Sequence, residues 1–129
     1  MIDHIGFSVA DYARSRAFFA AALAPLGFVS VVEVSKEQTG DYEGTGFGPA
    51  GRPKFWIGNG EAARGPMHIA FVADSRTAVD AFYNAAIAAG GRDNGPPGLR
   101  PHYHPDYYGA FVLDPDGHNI EAVCRSGEG

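Results

Sequence analysis

The fold is decided by the stretch Asp114-Pro115-Asp116-Gly117-His118-Asn119-Ile120-Glu121-Ala122-Val123, which joins a tight turn to a strand. Pro115 and Gly117 are turn residues, so the turn is predicted at 114–117. The residues after it alternate with period two, as a strand does, and Glu121 then points away from Ile120 and Ala122. An isolated glutamate on a strand is most often solvated, so a functional role for Glu121 depends on what the other strands place beside it.

Composition limits the class of protein. The 129 residues, 45% hydrophobic and 19% charged, are enough for one packed domain. The net charge is −5 without a basic cluster, so nucleic acid is not an expected partner. Cys124 is the single cysteine, which excludes an internal disulfide and a cysteine-based zinc site. No signal-peptide pattern or membrane-length apolar run is present, so we expect a cytoplasmic protein with no membrane partner.

The first half of the chain predicts a strand, a helix and three further strands. Residues 3–9 alternate, with His4, Gly6 and Ser8 on one face and apolar residues on the other. Asp11 is suited to cap a helix that begins near Tyr12 and closes at 25–27. Strands are predicted at 28–35, 45–49 and 53–58, with a loose polar segment over 36–44.

A glycine-rich linker over 59–65 leads into a second set of the same elements. A strand is predicted at 67–72, and Ser75 is suited to cap a helix that ends at Gly90-Gly91. Asn94 to Gly98 is predicted to be a turn-rich loop. A strand over 109–113 then precedes the hairpin that carries Glu121.

The second half repeats the first at an offset of 64 residues (68 − 4). The offset carries His4, Phe18, Phe19, Leu23 and Gly27 onto His68, Phe82, Tyr83, Ile87 and Gly91. The predicted fold class is therefore α+β, with two tandem βαβββ modules at about 1–58 and 66–124 within a single domain. Neither half could bury its sheet face alone, so the halves must pack together or with another chain. At the same offset Glu121 falls on Ile57, so the first module has no carboxylate there.

Two histidines and one carboxylate at related places predict a metal site. His4 and His68 occupy equivalent strands, and Glu121 faces the same concave side of the sheet. Imidazole and carboxylate ligands suit Zn, Fe(II), Mn, Ni or Co and leave positions for water or substrate. A lone histidine is more often an ordinary core or surface residue, but the repeat together with Glu121 favours a divalent metal ion.

The three motifs at 3–9, 67–71 and 114–121 resemble those of the vicinal oxygen chelate superfamily, which includes glyoxalases, bleomycin resistance proteins and extradiol dioxygenases. The resemblance implies a glyoxalase-like curved mixed sheet around a metal-lined cleft, often with dimerisation. It implies His4, His68 and Glu121 as the metal ligands. The fourth ligand position, a carboxylate in glyoxalases, is apolar here. The set is thus closer to the His-His-Glu set of extradiol dioxygenases and of fosfomycin-modifying transferases.

The stretch Arg100 to Gly109 is rich in histidine and tyrosine and is expected to rim the cleft. Such residues can transfer protons or donate hydrogen bonds to a substrate oxyanion. An aromatic loop at a dimer contact is the alternative. The catalytic candidates are His102, His104 and Tyr103, and the substrate-binding candidates are Trp56, Arg100 and Tyr107.

Two functions are compatible with these residues. The first is a metal-dependent enzyme whose small-molecule substrate chelates the metal through vicinal oxygens. For this enzyme, lyase or isomerase chemistry is favoured over ring-cleaving dioxygenation. The second is a bleomycin-resistance-like protein that sequesters a small ligand without catalysis. The complete ligand set favours the enzyme, and exposed sheet edges favour a homodimer. The cleft is closed either within one chain or across that dimer.

Overall fold

The protein is described by a computed structural model that covers residues 1–65 and 67–127. The chain forms two modules that share the order strand, helix and three strands, and the first module has an additional short helix. The first module contains β1 (Ile5–Val9), α1 (Tyr12–Leu23), β2 (Val29–Val34), α2 (Lys36–Thr39), β3 (Gly44–Gly48) and β4 (Phe55–Asn59). The second contains β5 (His68–Val72), α3 (Arg76–Ala88), β6 (Arg92–Leu99), β7 (Tyr108–Leu113) and β8 (Asn119–Cys124). The predicted α+β class with tandem modules is confirmed.

Each module folds as a four-stranded mixed sheet. The strand orders are β1-β4-β3-β2 and β5-β8-β7-β6. The first strand of each module pairs in parallel with the last, and the other pairs are antiparallel. This arrangement brings the predicted ligand strands β5 and β8 side by side, and leaves β1 and β5 at the edges of their sheets.

Both main helices begin at the side-chain caps that the sequence predicts. Asp11 Oδ1 accepts a hydrogen bond from the Arg14 N–H (3.1 Å), and Ser75 Oγ accepts one from the Ala78 N–H (3.1 Å). These bonds satisfy donors that a helix start otherwise leaves free. A 3₁₀ turn at Ala24–Leu26 ends the first helix, and Gly27 follows at φ 82°, a conformation that glycine adopts without strain.

Two segments differ from the sequence-based expectation. The predicted loop over 94–98 is wrong, because these residues lie inside β6. That strand is at the edge of its sheet and contains register shifts between Asp93 and Gly98, so Pro96 and Pro97 are tolerated without ladder hydrogen bonds. The polar segment over 36–44 contains the short helix α2, whose Ser35 and Gln38 form a capping box.

The strand register corrects the match of Glu121 to Ile57. Gly6 pairs with Trp56 in the first module, and Ala70 pairs with Glu121 in the second. The offset of 64 that relates the helices is therefore 65 in the last strands (121 − 56). Ile57 is fully buried, whereas Trp56 is half-buried on the opposite face of β4. The position equivalent to Glu121 is still apolar, but it is Trp56.

One hydrophobic core connects the modules. Phe55 of β4 and Phe71 of β5 are buried with their ring centroids 5.3 Å apart. Helices α1 and α3 pack against each other and contribute the fully buried Phe18, Phe19 and Phe82. Each such ring contributes about 1.5–3 kcal/mol through removal from water. Among the residues that the structure describes, no helix is long and apolar enough to cross a membrane.

Candidate functional site

Glu121 is the buried centre of the cleft in the second module. Strand β8 alternates, so Ile120 and Ala122 enter the core while Glu121 faces the concave side of the sheet. Only 1% of Glu121 is exposed, although it carries a carboxylate. Its Oε1 lies 2.7 Å from Nε2 of His68 on the adjacent strand, and the His68 ring is half-exposed toward the cleft. The structure therefore brings together two of the three predicted metal ligands.

Tyr107 is hydrogen-bonded to the other oxygen of the Glu121 carboxylate. Its hydroxyl donates a short hydrogen bond to Glu121 Oε2, and the ring packs where Gly109 has no side chain. Burial raises the pKa of Tyr107 to about 12, and the bond to Glu121 adds to this increase. Tyr107 is thus a permanent donor at neutral pH, and it holds Glu121 in one orientation.

The cleft above this cluster has a volume of about 500 Å³ and is mostly aromatic. Its lining residues are His68, His102, Tyr103, Tyr107, Phe111, Glu121 and Arg125. The rings of the rim form a chain: the centroids of His102 and Tyr103 are 4.2 Å apart, and those of Tyr103 and Tyr107 are 5.0 Å apart. The guanidinium of Arg125 stands 5.0 Å from the centroid of the Tyr107 ring, a cation–π contact.

His4 lines a different cavity, on the first module. This cavity measures about 370 Å³ and is lined by Asp3, His4, Arg52, Pro53, Lys54 and Trp56. Nδ1 of His4 lies 2.7 Å from Asp3 Oδ1, and this bond is the main reason that the pKa of Asp3 is lowered. A carboxylate on one ring nitrogen orients a histidine and leaves the other nitrogen free to bind a ligand.

The structure thus distributes the predicted site residues over two cavities. The second module gathers His68, Glu121, Tyr107, Tyr103 and His102, whereas the first holds His4 beside Trp56. Over residues 1–65 and 67–127, no three histidine, cysteine, aspartate or glutamate side chains are arranged to hold a metal ion.

Two predicted rim residues lie outside the Glu121 cleft. Arg100 donates from Nη2 to the Pro96 carbonyl (2.8 Å), and it lines a neighbouring cavity of about 310 Å³ together with His102 and Tyr103. His104 is exposed, and its Nδ1 accepts a hydrogen bond from the Asp106 N–H (3.1 Å). Of the two histidines predicted to transfer protons, His102 has the better position.

Sequence reasoning missed several residues that line the cavities, among them Phe111 and Arg125 in one, and Arg52 and Lys54 in the other. It also missed Tyr42, whose hydroxyl lies 2.5 Å from the place where a Cβ on Gly44 or Gly58 would stand. Tyr42 corresponds to Tyr107 at the offset of 65 (107 − 42), and both follow an aspartate. That repeated Asp-Tyr pair is the signal that could have identified Tyr42.

Two βαβββ modules with a histidine–glutamate pair on a concave sheet define a glyoxalase-like protein. The sequence profile of the Glyoxalase/Bleomycin resistance protein/Dioxygenase superfamily matches residues 1–122. The chain belongs to this superfamily.

Solved structures agree with this assignment. A glyoxalase/bleomycin resistance protein from Albidiferax ferrireducens is 31% identical, with a TM-score of 0.78 over 98% of this chain and 99% of the other. A variant of the fosfomycin resistance protein FosX from Listeria monocytogenes, complexed with Mn(II) and 1S,2S-dihydroxypropylphosphonic acid, is 21% identical. Its TM-score is 0.68 over 95% of this chain and 90% of the other, and this likeness shows the fold alone. No curated protein matches the sequence.

Proposed function

We propose that the chain is a metal-dependent enzyme acting on a small molecule that chelates the metal through vicinal oxygens. Lyase or isomerase chemistry is favoured over ring-cleaving dioxygenation. The observation that carries the proposal is the buried Glu121, held by His68 and Tyr107 at the floor of an open cleft of about 500 Å³. A carboxylate buried in this way without a function is costly, and it is a preferred ligand for a dication.

The donor set fits a divalent ion such as Zn, Fe(II), Mn, Ni or Co. His68 and Glu121 already place two ligand atoms 2.7 Å apart, and His4 has an orienting carboxylate on its other ring nitrogen. FosX, a protein of the same fold, is complexed with Mn(II). When bound, the metal would polarise a carbonyl or enediolate oxygen of the substrate.

A second copy of the chain completes the site in this proposal. His4 lines its own cavity, away from the His68–Glu121 cleft, so one chain in this arrangement supplies two of the three ligands. The edge strand β5 supports an interface there, because Val72 lies on the same face as His68 and is 79% exposed. A homodimer would place His4 of one copy against His68 and Glu121 of the other.

The remaining cleft residues have distinct roles. Tyr107 positions Glu121 and does not itself exchange protons at neutral pH, since its pKa is about 12. His102 lies at the rim beside Tyr103 and is suited to move a proton between substrate atoms. Tyr103 is 60% exposed and can donate a hydrogen bond to a substrate oxyanion.

A protein that sequesters its ligand without catalysis is the second candidate. Seven residues line the larger cleft. Apart from His68, four of them carry an aromatic or imidazole ring: His102, Tyr103, Tyr107 and Phe111. Such walls bind a flat ligand through stacking without any metal. Metal binding therefore discriminates between the two functions.

The test is elemental analysis of the untagged protein purified without chelator. We expect a stoichiometric divalent metal in the parent, and its loss in His4→Ala, His68→Ala and Glu121→Ala. His104→Ala is the matched control, because His104 is exposed and lies outside both ligand cavities. Iron or manganese would direct assays to catechols, and zinc, nickel or cobalt to lyase and isomerase substrates. A parent that takes up no metal on reconstitution would instead support ligand sequestration.

A further inference from the structure

We propose that the substrate carries an oxyanion group separate from its chelating oxygens, and that Arg52 and Lys54 bind this group beside Trp56. The inference rests on the proposed function, since it concerns the substrate of the same site. It assigns to the cavity on the first module a role in substrate selection.

Strand pairing places Lys54 next to His4. Ile5 pairs with Phe55, and the Ile5 N–H donates to the Lys54 carbonyl (2.9 Å), so the register continues to His4 opposite Lys54. Lys54 also shares a face with Trp56, two residues further on. In the second module, the residue opposite His68 is Asn119. The first module therefore carries a cation where its counterpart carries a neutral amide.

Arg52 reaches the same cavity from the turn between β3 and β4. Its backbone N–H donates to the Pro49 carbonyl (3.0 Å), which closes the turn, and Arg52 lines the cavity together with Lys54. After the bond to His4, the positive charges of Lys54 and Arg52 also lower the pKa of Asp3. Within the described residues, no carboxylate lies within 4.0 Å of either cationic group. The one carboxylate in the lining, Asp3, is already hydrogen-bonded to His4.

The resulting cavity is cationic on a protein whose net charge is −5. A positive recess raises the local concentration of anions and orients them as they arrive. A guanidinium matches the geometry of a carboxylate or phosphate, and a lysine adds a point charge. If His4 and Glu121 hold a dication nearby, the carboxylates of Asp3 and Glu121 offset only part of the positive charge, and a neutral chelator would leave the rest unbalanced. A substrate with a carboxylate or phosphate group balances it.

Trp56 allows a test that does not depend on activity. It is the single tryptophan of the chain and lines the cavity, so its fluorescence reports binding there. The full-length protein, treated with chelator, is titrated with inorganic phosphate at constant ionic strength. We expect a saturable change in fluorescence, and a loss of affinity of about tenfold in Arg52→Gln and in Lys54→Gln. A parallel titration with acetate distinguishes a carboxylate from a phosphate preference.

Arg92→Gln is the matched control, because it changes the net charge equally at an exposed position on β6. Its phosphate affinity should equal that of the parent. A control that loses as much affinity as Arg52→Gln, or a parent whose fluorescence does not respond, would overturn the inference while the metal assignment could still hold. Phosphate binding as expected in a protein that never takes up metal would support the anion site and refute the proposed enzyme.

Discussion

At the scale of single residues, Glu121 shows how a fold supports a buried charge. Removing a carboxylate from water costs several kcal/mol unless its oxygens are paired. Here His68 contacts one oxygen and Tyr107 donates to the other. The metal proposed for this site would add a further partner for the carboxylate.

Tyr107→Phe should lower both the free energy of unfolding and the affinity for metal. The variant leaves Oε2 of the buried Glu121 without its donor, so we expect the free energy of unfolding to fall by about 1–3 kcal/mol. Metal affinity should fall by about 10- to 100-fold, because a partner of a ligand is lost. Urea unfolding of the metal-free protein and a competitive metal titration measure the two effects.

Tyr108→Phe is the control for that experiment. Tyr108 also donates to a carboxylate, Asp80 Oδ1 (2.6 Å), but at a site away from the cleft. It should lose less stability, because Asp80 is only partly buried and water can replace the lost donor, and it should keep the metal affinity of the parent. Equal losses of metal affinity in both variants would contradict the positioning role of Tyr107.

Asp114 predicts a pH dependence of stability. It is 2% exposed; its Oδ1 accepts from the N–H groups of Asp116 and His118, while its Oδ2 has no partner among the described residues. Burial raises the pKa of Asp114 above the usual 3.8. As pH rises past 3.8, the unfolded chain loses this proton first, so the folded state binds more protons and stability falls.

Asp114→Asn should remove this fall in stability. Between about pH 4 and pH 7, we expect the variant to gain stability relative to the parent, because its amide stays neutral while the parent carboxyl ionises. Chemical unfolding at several pH values measures the difference. Asp74→Asn, at an exposed position, should reproduce the pH profile of the parent. A variant that loses stability relative to the parent as pH rises would refute the argument.

At the scale of elements, strand β3 is built around glycines on its cleft face. Thr45 and Phe47 enter the core, so Gly44, Gly46 and Gly48 face the other way. A Cβ on Gly46 would stand 2.9 Å from Pro53 and from the Trp56 ring. The missing side chains let Trp56 and the β3–β4 turn lie directly on the sheet, and this close approach forms the cavity of His4.

Gly48→Ala should destabilise the protein much more than Gly44→Ala. A Cβ on Gly48 would overlap the backbone oxygen of Arg52, so the turn itself must move. We expect a loss of about 1–3 kcal/mol, as for an overpacked core, and a weaker phosphate response of Trp56. Gly44→Ala is the control. The nearest atoms to a Cβ on Gly44 belong to the end of the Tyr42 ring, which can move. Equal unfolding free energies for the two variants would disprove this explanation.

At the scale of the whole molecule, the three proposed metal ligands are divided between the two modules. The His4 cavity and the His68–Glu121 cleft lie on different sheets of one chain. A two-fold dimer would use each of these surfaces twice and form two equivalent sites.

Mixing two inactive variants tests this arrangement. When His4→Ala and Glu121→Ala subunits exchange, each mixed dimer with shared sites holds one intact site and one site with both changes. We expect about a quarter of the parent's metal content, since about half of the dimers are mixed at random. Elemental analysis after subunit exchange measures it. Metal that stays absent, although mass spectrometry shows mixed dimers, would place all ligands within one chain.

The sequence by itself determined the two modules, the capped helices, the alternating faces and the family. These features depend on local periodicity, on capping residues and on a repeat that is visible in the chain. The tertiary structure decided that Trp56 occupies the place of Glu121, that Tyr107 holds Glu121, and that His4 lies apart from His68. Strand register and contacts between distant turns cause these features, and a shift of one residue moves every side chain to the other face.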